Sequence, residues 1–332
     1  MPVPDLAPLR QPTNEELDQA FARVTRHAVR TPLLESRAFN ERVGGRLLFK
    51  AEALQLTGSF KFRGGINAVA RAMERDGASH VVAYSSGNHA QGVAAAANIL
   101  GVRATIVMPA DAPAIKRDNT MRWGAEVRVY DRYRDVREEV ASALAQDLGA
   151  SIIKPYDALD TICGQASCGF EMIEQCDRLG IVPDQALICC GGGGLTAGVA
   201  LALHRRFPAL SLFTVEPEGL DDTARSLAAG ERLPADDGAS SLCDALLARI
   251  PGELTFAINR DHVTAGLAVS DAEVAEAMVA AFRELKIVLE PGGAVALAAA
   301  LSGKVQVEDR TTLVVLSGGN VDPALFAKII NH

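Results

Sequence analysis

QALICCGGGGLTAGVALALHRRF, residues 185–207, reads as an apolar strand, four consecutive glycines and an apolar helix, and that unit decides the fold class. Four glycines in a row destabilise any regular element, so a close approach of backbone to a guest is the physical reason for them. Unencumbered N–H groups converging with a helix dipole suit phosphate. The same alternation recurs outward from this unit. Strands are predicted at RLLFKAE (46–52), HVVAYSS (80–86), ATIVMPA (104–110), EVRVYD (126–131), SIIKPYD (151–157), LFTVEP (212–217) and TTLVVLS (311–317). Ala-rich helical stretches such as GVAAAANILG (92–101) and GAVALAAALSG (293–303) separate them. Short apolar runs alternating with helices predict βαβ units and mostly parallel sheets, with ligands gathered at the carboxyl ends of the strands. Thr13 and Glu16 form a capping-box spacing that predicts the start of the first helix.

The bulk numbers bound the function. With 332 residues, the chain is long enough for about two domains. Lys plus Arg number 33 against 41 for Asp plus Glu, a net charge of −8, and no dense basic run is present. Nucleic acid and anionic membrane are therefore excluded as partners. The opening MPVPDLAPLRQPTNEELDQ carries neither the charged start nor the apolar centre of a secretory signal, so a cytoplasmic protein is expected. Six cysteines, at 163, 168, 176, 189, 190 and 243, include no CxxC pair and read as buried reduced thiols.

Four further segments carry candidate chemistry. In GSFKFRGG (58–65), Ser59 is expected to cap a helix whose first turn holds Lys61 between Phe60 and Phe62. A helix dipole and partial desolvation both disfavour an ammonium there, as a Schiff-base or general-base lysine requires; taken alone, an ordinary surface lysine is the alternative. In SSGNHAQG (85–92), between a strand and an Ala-rich helix, backbone amides with Ser85, Ser86 and Asn88 suit a carboxylate; a plain capped loop with a satisfied His89 is the alternative. VVLSGGN (314–320) ends a strand at Ser317 beside a sharp glycine turn. VEPEGLDD (215–222) clusters Glu216, Glu218, Asp221 and Asp222, oxygen donors suited to Mg²⁺ or Ca²⁺ or to bulk water. A competing dinucleotide reading exists, because Gly192, Gly194 and Ala197 satisfy GxGxxA and Glu216 follows on the next strand. An NAD-dependent dehydrogenase would leave Lys61, SSGNH and SGGN without roles.

In this order the lysine turn, SSGNH, GGGGL and SGGN resemble the fold-type II pyridoxal-phosphate (PLP) enzymes, specifically the serine/threonine dehydratase and serine racemase family. The resemblance runs from RTPLLES (30–36) through LQLTGSFKFRG (54–64) and EPGGA (290–294) to SGGNVD (317–322). It implies an α/β, two-domain, tryptophan-synthase-β-like fold, with a large domain of residues 1–74 and 156–332 and a small domain of 75–155 inserted in it. By the same resemblance, Lys61 would hold the cofactor as an imine, Phe60 would pack on its ring, and Asn88 would bond the ring hydroxyl. Gly191, Gly192, Gly193 and Gly194 with Leu195 would bind its phosphate, and Ser317 would face the pyridine nitrogen. A neutral hydroxyl there draws carbanion charge less fully into the ring than a carboxylate does, favouring β-elimination over transamination. Ser85, Ser86, Gly87, Asn88 and His89 would grip the substrate carboxylate.

The implied activity is an L-threonine/L-serine ammonia-lyase yielding 2-oxobutanoate or pyruvate from a small hydroxy amino acid, in a homodimer. Alternatives within the family are a serine or aspartate racemase and a 3-hydroxyaspartate dehydratase. Ser86 matches the serine that racemases place opposite the lysine, as a second catalytic group. Glu216, the Leu220 carbonyl and Asp222 match the family's ligands for Mg²⁺, Ca²⁺ or Mn²⁺. Arg137 is the candidate for a second substrate carboxylate, or else a solvated helix-face arginine. Because the sequence stops soon after SGGNVD, isoleucine inhibition through an appended regulatory domain is not expected.

Overall fold

The computed structural model describes residues 9–112 and 114–331; readings that rest on residues 1–8 or on His332 lie outside the described residues. Among the described residues, ten strands form two sheets. They are β1 (Leu33–Glu35), β2 (Arg46–Ala51), β3 (His80–Tyr84), β4 (Arg103–Pro109), β5 (Glu126–Tyr130), β6 (Ser151–Ile152), β7 (Gln185–Cys189), β8 (Ser211–Pro217), β9 (Ala265–Val269) and β10 (Thr311–Leu316). A six-stranded sheet runs β1-β2-β10-β7-β8-β9 and a four-stranded sheet β5-β4-β3-β6. Every pairing is parallel except β1 with β2, so helices must return the chain across the faces.

The central strands are buried along nearly their whole length, as expected for strands covered on both faces. One apolar core surrounds the six-stranded sheet, built from Leu47, Phe49, Leu187, Leu313 and the Ala-rich Pro291–Leu301 helix. A second lies on the four-stranded sheet, around Val81, Val93, Ile106 and Met108. The first helix, Asn14–Val24, starts as expected. Thr13 Oγ1 accepts from Glu16 N at 3.2 Å while Thr13 N donates to the Glu16 carboxylate at 2.8 Å.

SIIKPYD is strand only over Ser151–Ile152. Ile153 N still bonds Val82 O at 2.8 Å, but Pro155 has no N–H and the chain leaves the sheet to cross toward the six-stranded one. All six cysteines are buried and free, as the sequence implied.

Two packing features fix the helix Lys61–Asp76, which carries the candidate lysine. On one side Gly92, in the helix Asn88–Leu100, lies so close that a Cβ would sit 2.9 Å from the Lys61 carbonyl carbon. On the other side Arg63 is wholly buried and donates to Glu52 at 2.7 and 2.8 Å and to Glu171 at 2.8 and 2.9 Å. Lys50, also buried, donates to Glu171 at 2.6 Å and to the Thr31 carbonyl at 2.8 Å. Two cations and two anions thereby close into one knot that ties β2 and the helix Leu159–Leu179 to the turn bearing Lys61.

Candidate active site

Parallel strands deliver their following loops to one edge, and the predicted motifs meet there. Cys189 of β7 leads into the glycines and Leu316 of β10 leads into Ser317. Ala51 of β2, in register with Leu316, leads toward Ser59. Ser59 pairs with Gly318 in an isolated bridge, and Phe60 N donates to Ser317 O at 3.0 Å. The lysine turn is thereby stitched directly to the SGGN turn.

The expectation that Ser59 caps the lysine helix fails. The cap position is Phe60, in helical conformation and with no side-chain cap, while the Ser59 hydroxyl is buried without a partner among the described residues. The bridge to Gly318 holds Ser59 in place and prevents it from reaching the helix N–H groups.

Lys61 is the first residue of its helix, and its amine donates to the Pro155 carbonyl at 2.9 Å. The Phe60 ring stands with its centroid 5.2 Å from Nζ. Burial disfavours the ammonium and lowers Lys61 to about 8, against the weaker pull of Cys189 and Glu290. About a tenth of this amine is therefore neutral at pH 7, far more than in an ordinary lysine, and neutral is the form that attacks carbonyls and accepts protons.

The turn Ser85–His89 ends in the cap Gly87 and the helix starting at Asn88. Ser85 Oγ accepts from Gly87 N at 3.1 Å, which folds the turn, and Ser86 is half-buried within it. The orientation of Asn88 follows from a chain of bonds. Asn320 Nδ2 donates to the Thr57 carbonyl at 2.8 Å and to Asn88 Oδ1 at 2.7 Å. Asn88 must then turn its amide nitrogen outward, and it donates to Glu290 Oε1 at 2.6 Å. His89 is buried with Nε2 at 2.9 Å from the Ile153 carbonyl. Burial and the neighbouring Lys61 push its imidazole down to about 3, so it is neutral and its ring is already engaged. What the turn offers a carboxylate here is His89 backbone, not a charged imidazole.

At the glycine bend, Gly193 has φ +88°, a conformation glycine adopts without strain, and the helix Gly194–Arg206 follows with Leu195 buried in its first turn. The first N–H groups of that helix have no intrahelical acceptor. The Tyr156 ring lies against Gly192, leaving no room for a Cβ there, and a Cβ on Gly194 would fall 2.9 Å from Tyr156 Cβ. Ser317 Oγ lies 3.5 Å from the Gly292 carbonyl and beside the Cys189 thiol, which burial raises to about 11. Lysine, bend and Ser317 thus surround one place at the sheet edge, with the small donors of Ser85–Asn88 on the other side.

Sequence reasoning assigned no role to Glu290, Tyr156, Asp157 or Asn320, although EPGGA and SGGN were both in view. Glu290 is buried at the start of the Pro291–Leu301 helix, and burial pushes its carboxyl up to about 7 despite the Asn88 hydrogen bond. An acid placed directly before Pro-Gly-Gly and an all-apolar helix was the available signal.

The acidic segment behaves unevenly. Glu216, buried at the end of β8, accepts from Thr223 N at 3.0 Å and Ala224 N at 2.7 Å, and burial with nearby Asp222 raises it well above the usual carboxylate range. Asp222 is buried and raised to about 7 chiefly by desolvation, with Oδ2 unpartnered among the described residues. Leu220, also buried, lies between them in sequence. Glu218 and Asp221 are more exposed; Glu218 meets Lys304, and Asp221 meets Arg225. Arg137 opens the helix Arg137–Leu148, about half-exposed, with its guanidinium 5.7 Å from the centroid of Tyr84, the residue preceding the Ser85 turn, and 2.6 Å from Glu138.

The family model described as pyridoxal-phosphate dependent enzyme matches residues 24–318. The chain belongs to this family. It is 38% identical over 320 residues to an L-threo-3-hydroxyaspartate ammonia-lyase of Saccharomyces cerevisiae, covering 96% of this chain and 97% of that protein. It is 36% identical to a serine racemase of Schizosaccharomyces pombe, over 97% and 98% of the two chains. Among solved structures, a threonine deaminase from T.th. superposes with a TM-score of 0.87 at 42% identity, over 94% of this chain and 99% of that one. The pyridoxal-phosphate fold expected from the motifs is therefore the fold of this chain, and the dinucleotide reading of GxGxxA is set aside.

Proposed function

We propose that this chain is a hydroxy-amino-acid ammonia-lyase that converts a β-hydroxy amino acid to a keto acid and ammonia. The observation that carries this reading is the half-buried Lys61 amine, lowered to about 8, resting on the Pro155 carbonyl and near enough to Cys189 and Glu290 to feel their charge. The site fits a pyridoxal phosphate: Lys61 would hold its aldehyde, Gly191–Gly194 and Leu195 its phosphate, Phe60 and Asn88 its ring, and Ser317 its ring nitrogen. When bound, that group supplies an electron sink for the carbanion formed at the substrate Cα.

The residues of the chain do the rest. The neutral Lys61 amine takes the Cα proton, and the Pro155 carbonyl fixes where that amine rests. The donors of Ser85, Ser86, Gly87, Asn88 and His89, the last through its backbone, would orient the substrate carboxylate so that the Cα–H bond faces the base. The β-hydroxyl takes up a proton and leaves as water, giving an enamine that tautomerises to an imine, and hydrolysis of that imine by a water molecule gives the keto acid and ammonium. The four-stranded unit, residues 75–155, and the remainder would form the two walls of this site.

A second reading, in which the substrate bears a second carboxylate as 3-hydroxyaspartate does, is favoured by Arg137 beside Tyr84 at the base of the substrate turn. A divalent cation is supported by the buried acids: Asp222 Oδ2 lacks a partner among the described residues, and Glu216, Asp222 and the Leu220 carbonyl are oxygen donors of the type Mg²⁺, Ca²⁺ or Mn²⁺ takes. They would hold it structurally, at the base of the sheet edge.

The test is keto-acid release by the cofactor-loaded protein from L-threonine, L-serine and 3-hydroxyaspartate, with chiral analysis of remaining substrate. Release from at least one, lost in Lys61→Ala, is the expected result. Selective loss of 3-hydroxyaspartate turnover in Arg137→Met would establish the second reading. No keto acid from any of the three, with inversion of serine instead, would replace the lyase with a racemase.

A further inference from the structure

The helix Glu253–His262 starts after Gly252, a residue with no side chain to cap it. Its first N–H groups are satisfied from the segment that crosses between the two sheets. Asp157 Oδ1 accepts from Leu254 N at 2.9 Å and Thr255 N at 3.2 Å, and Oδ2 accepts from Glu253 N at 3.1 Å. The same helix grips the glycine bend. Thr255 Oγ1 donates to the Gly192 carbonyl at 2.7 Å, and Asn259 Nδ2 reaches the Gly193 carbonyl at 3.4 Å. A Cβ on Gly193 would meet Asn259 and Thr255 side-chain atoms at 2.8–3.0 Å, so helix and bend are in direct contact.

Pinning those two carbonyls outward leaves the peptide N–H groups of the bend directed to the other side. Tyr156 packs its ring on Gly192 and its Cβ and backbone on Gly194, and Pro155 O holds the Lys61 amine. Three successive residues of the crossing segment therefore touch the lysine, the glycine bend and the helix that clamps the bend.

We propose that Asp157 is a positioning residue for the phosphate cradle, acting through the Glu253–His262 helix: it sets that helix so that Thr255 holds Gly192 in the phosphate-binding conformation. This rests on reading Gly191–Gly194 as the phosphate site. The expected change in cofactor affinity, about tenfold, is large enough to measure.

The experiment measures the pyridoxal-phosphate dissociation constant of the full chain, with inorganic phosphate as competitor, in Asp157→Ala, Asp157→Asn, Thr255→Val and the Asp157→Ala/Thr255→Val double variant. Asp157→Ala is expected to weaken both cofactor and inorganic phosphate by about tenfold, with kcat at saturating cofactor within about twofold of the parent. Asp157→Asn keeps Oδ1 for Leu254 and Thr255 and is expected within about threefold of the parent. Thr255→Val should mimic Asp157→Ala, and the double variant should be no weaker than the worse single one. A lowered thermal midpoint with unchanged dissociation constants would overturn the proposal, as would additive effects of the two substitutions. Should Asp157→Ala not fold, Thr255→Val and Asp157→Asn decide the matter alone, an unchanged phosphate constant in Thr255→Val contradicting it. Failure of the parent chain to bind the cofactor would instead refute the reading of the site.

Discussion

Two sets of buried charges flank the lysine helix and the sheet edge, and they are built on opposite plans. Behind Lys61, Arg63 and Lys50 face Glu52 and Glu171, and every charge meets its opposite. Burial alone would push Glu52 up, but the Arg63 guanidinium outweighs it and holds the carboxyl below its usual range. On the carboxyl side of the sheet, Glu216, Asp222 and Glu290 are also buried, yet burial wins and all three are raised. The first set is closed on itself and serves only position. The second lacks a cation of its own among the described residues, so its carboxyls hold their protons more readily than free ones do.

The contrast is tested most severely by removing one member of the closed set. Arg63→Met strands the buried Glu52 carboxylate and leaves Glu171 with Lys50 alone, and is expected to destabilise by about 3–5 kcal/mol in urea denaturation, or to prevent folding. A loss below about 1 kcal/mol would mean the knot is not held as described.

The open set predicts a gain from added ligand. Saturating Mg²⁺ at about 100 times its dissociation constant should stabilise by about 2.7 kcal/mol, seen as a raised thermal midpoint that a chelator reverses and Asp222→Asn abolishes. An equal response in Asp222→Asn would remove the cation from Glu216 and Asp222.

Glu290 separates the two plans by pH. Its carboxyl is raised to about 7 from 4.5, so the folded cofactor-free chain holds a proton that the unfolded chain releases. That contribution is fully present below pH 4.5 and is lost as pH rises through about 7, on the order of 1–3 kcal/mol. Glu290→Gln should flatten the decline in denaturation free energy over that range. Glu52, held low, contributes in the opposite sense: its share is present above the unfolded value and is lost as acid protonates it. The smallest effect is expected at Ser59, whose buried hydroxyl has no partner among the described residues: Ser59→Ala should change stability by less than about 0.5 kcal/mol.

Much of the fold was legible because strands β2, β3, β4, β5, β7, β8 and β10 are short apolar runs closed by turn residues. The two unforeseen strands are edge strands. β1 spans three residues and β9 is a partly exposed run, AGLAV, and each pairs on one side only, which leaves little periodic signal. The lysine, the glycine bend and Ser317 could be read because each sits at a strand-to-helix junction with its own local signature. Glu290, Tyr156 and Asp157 could not, because their roles come from burial and from contacts with residues far away in the sequence. Ser59 misled for the same reason: its local spacing fits a cap, and a distant bridge to Gly318 overrides it.

The central claim is that Lys61 is the amine that captures the cofactor, and borohydride reduction followed by peptide mapping tests it directly. The cofactor-loaded protein is expected to lose its visible absorbance on reduction and to carry one reduced pyridoxyl label on the peptide containing Lys61. Capture by the cofactor-free protein should accelerate as pH rises through about 8, well below an ordinary lysine. A label on any other lysine, or an undiminished label in Lys61→Ala, would contradict the account.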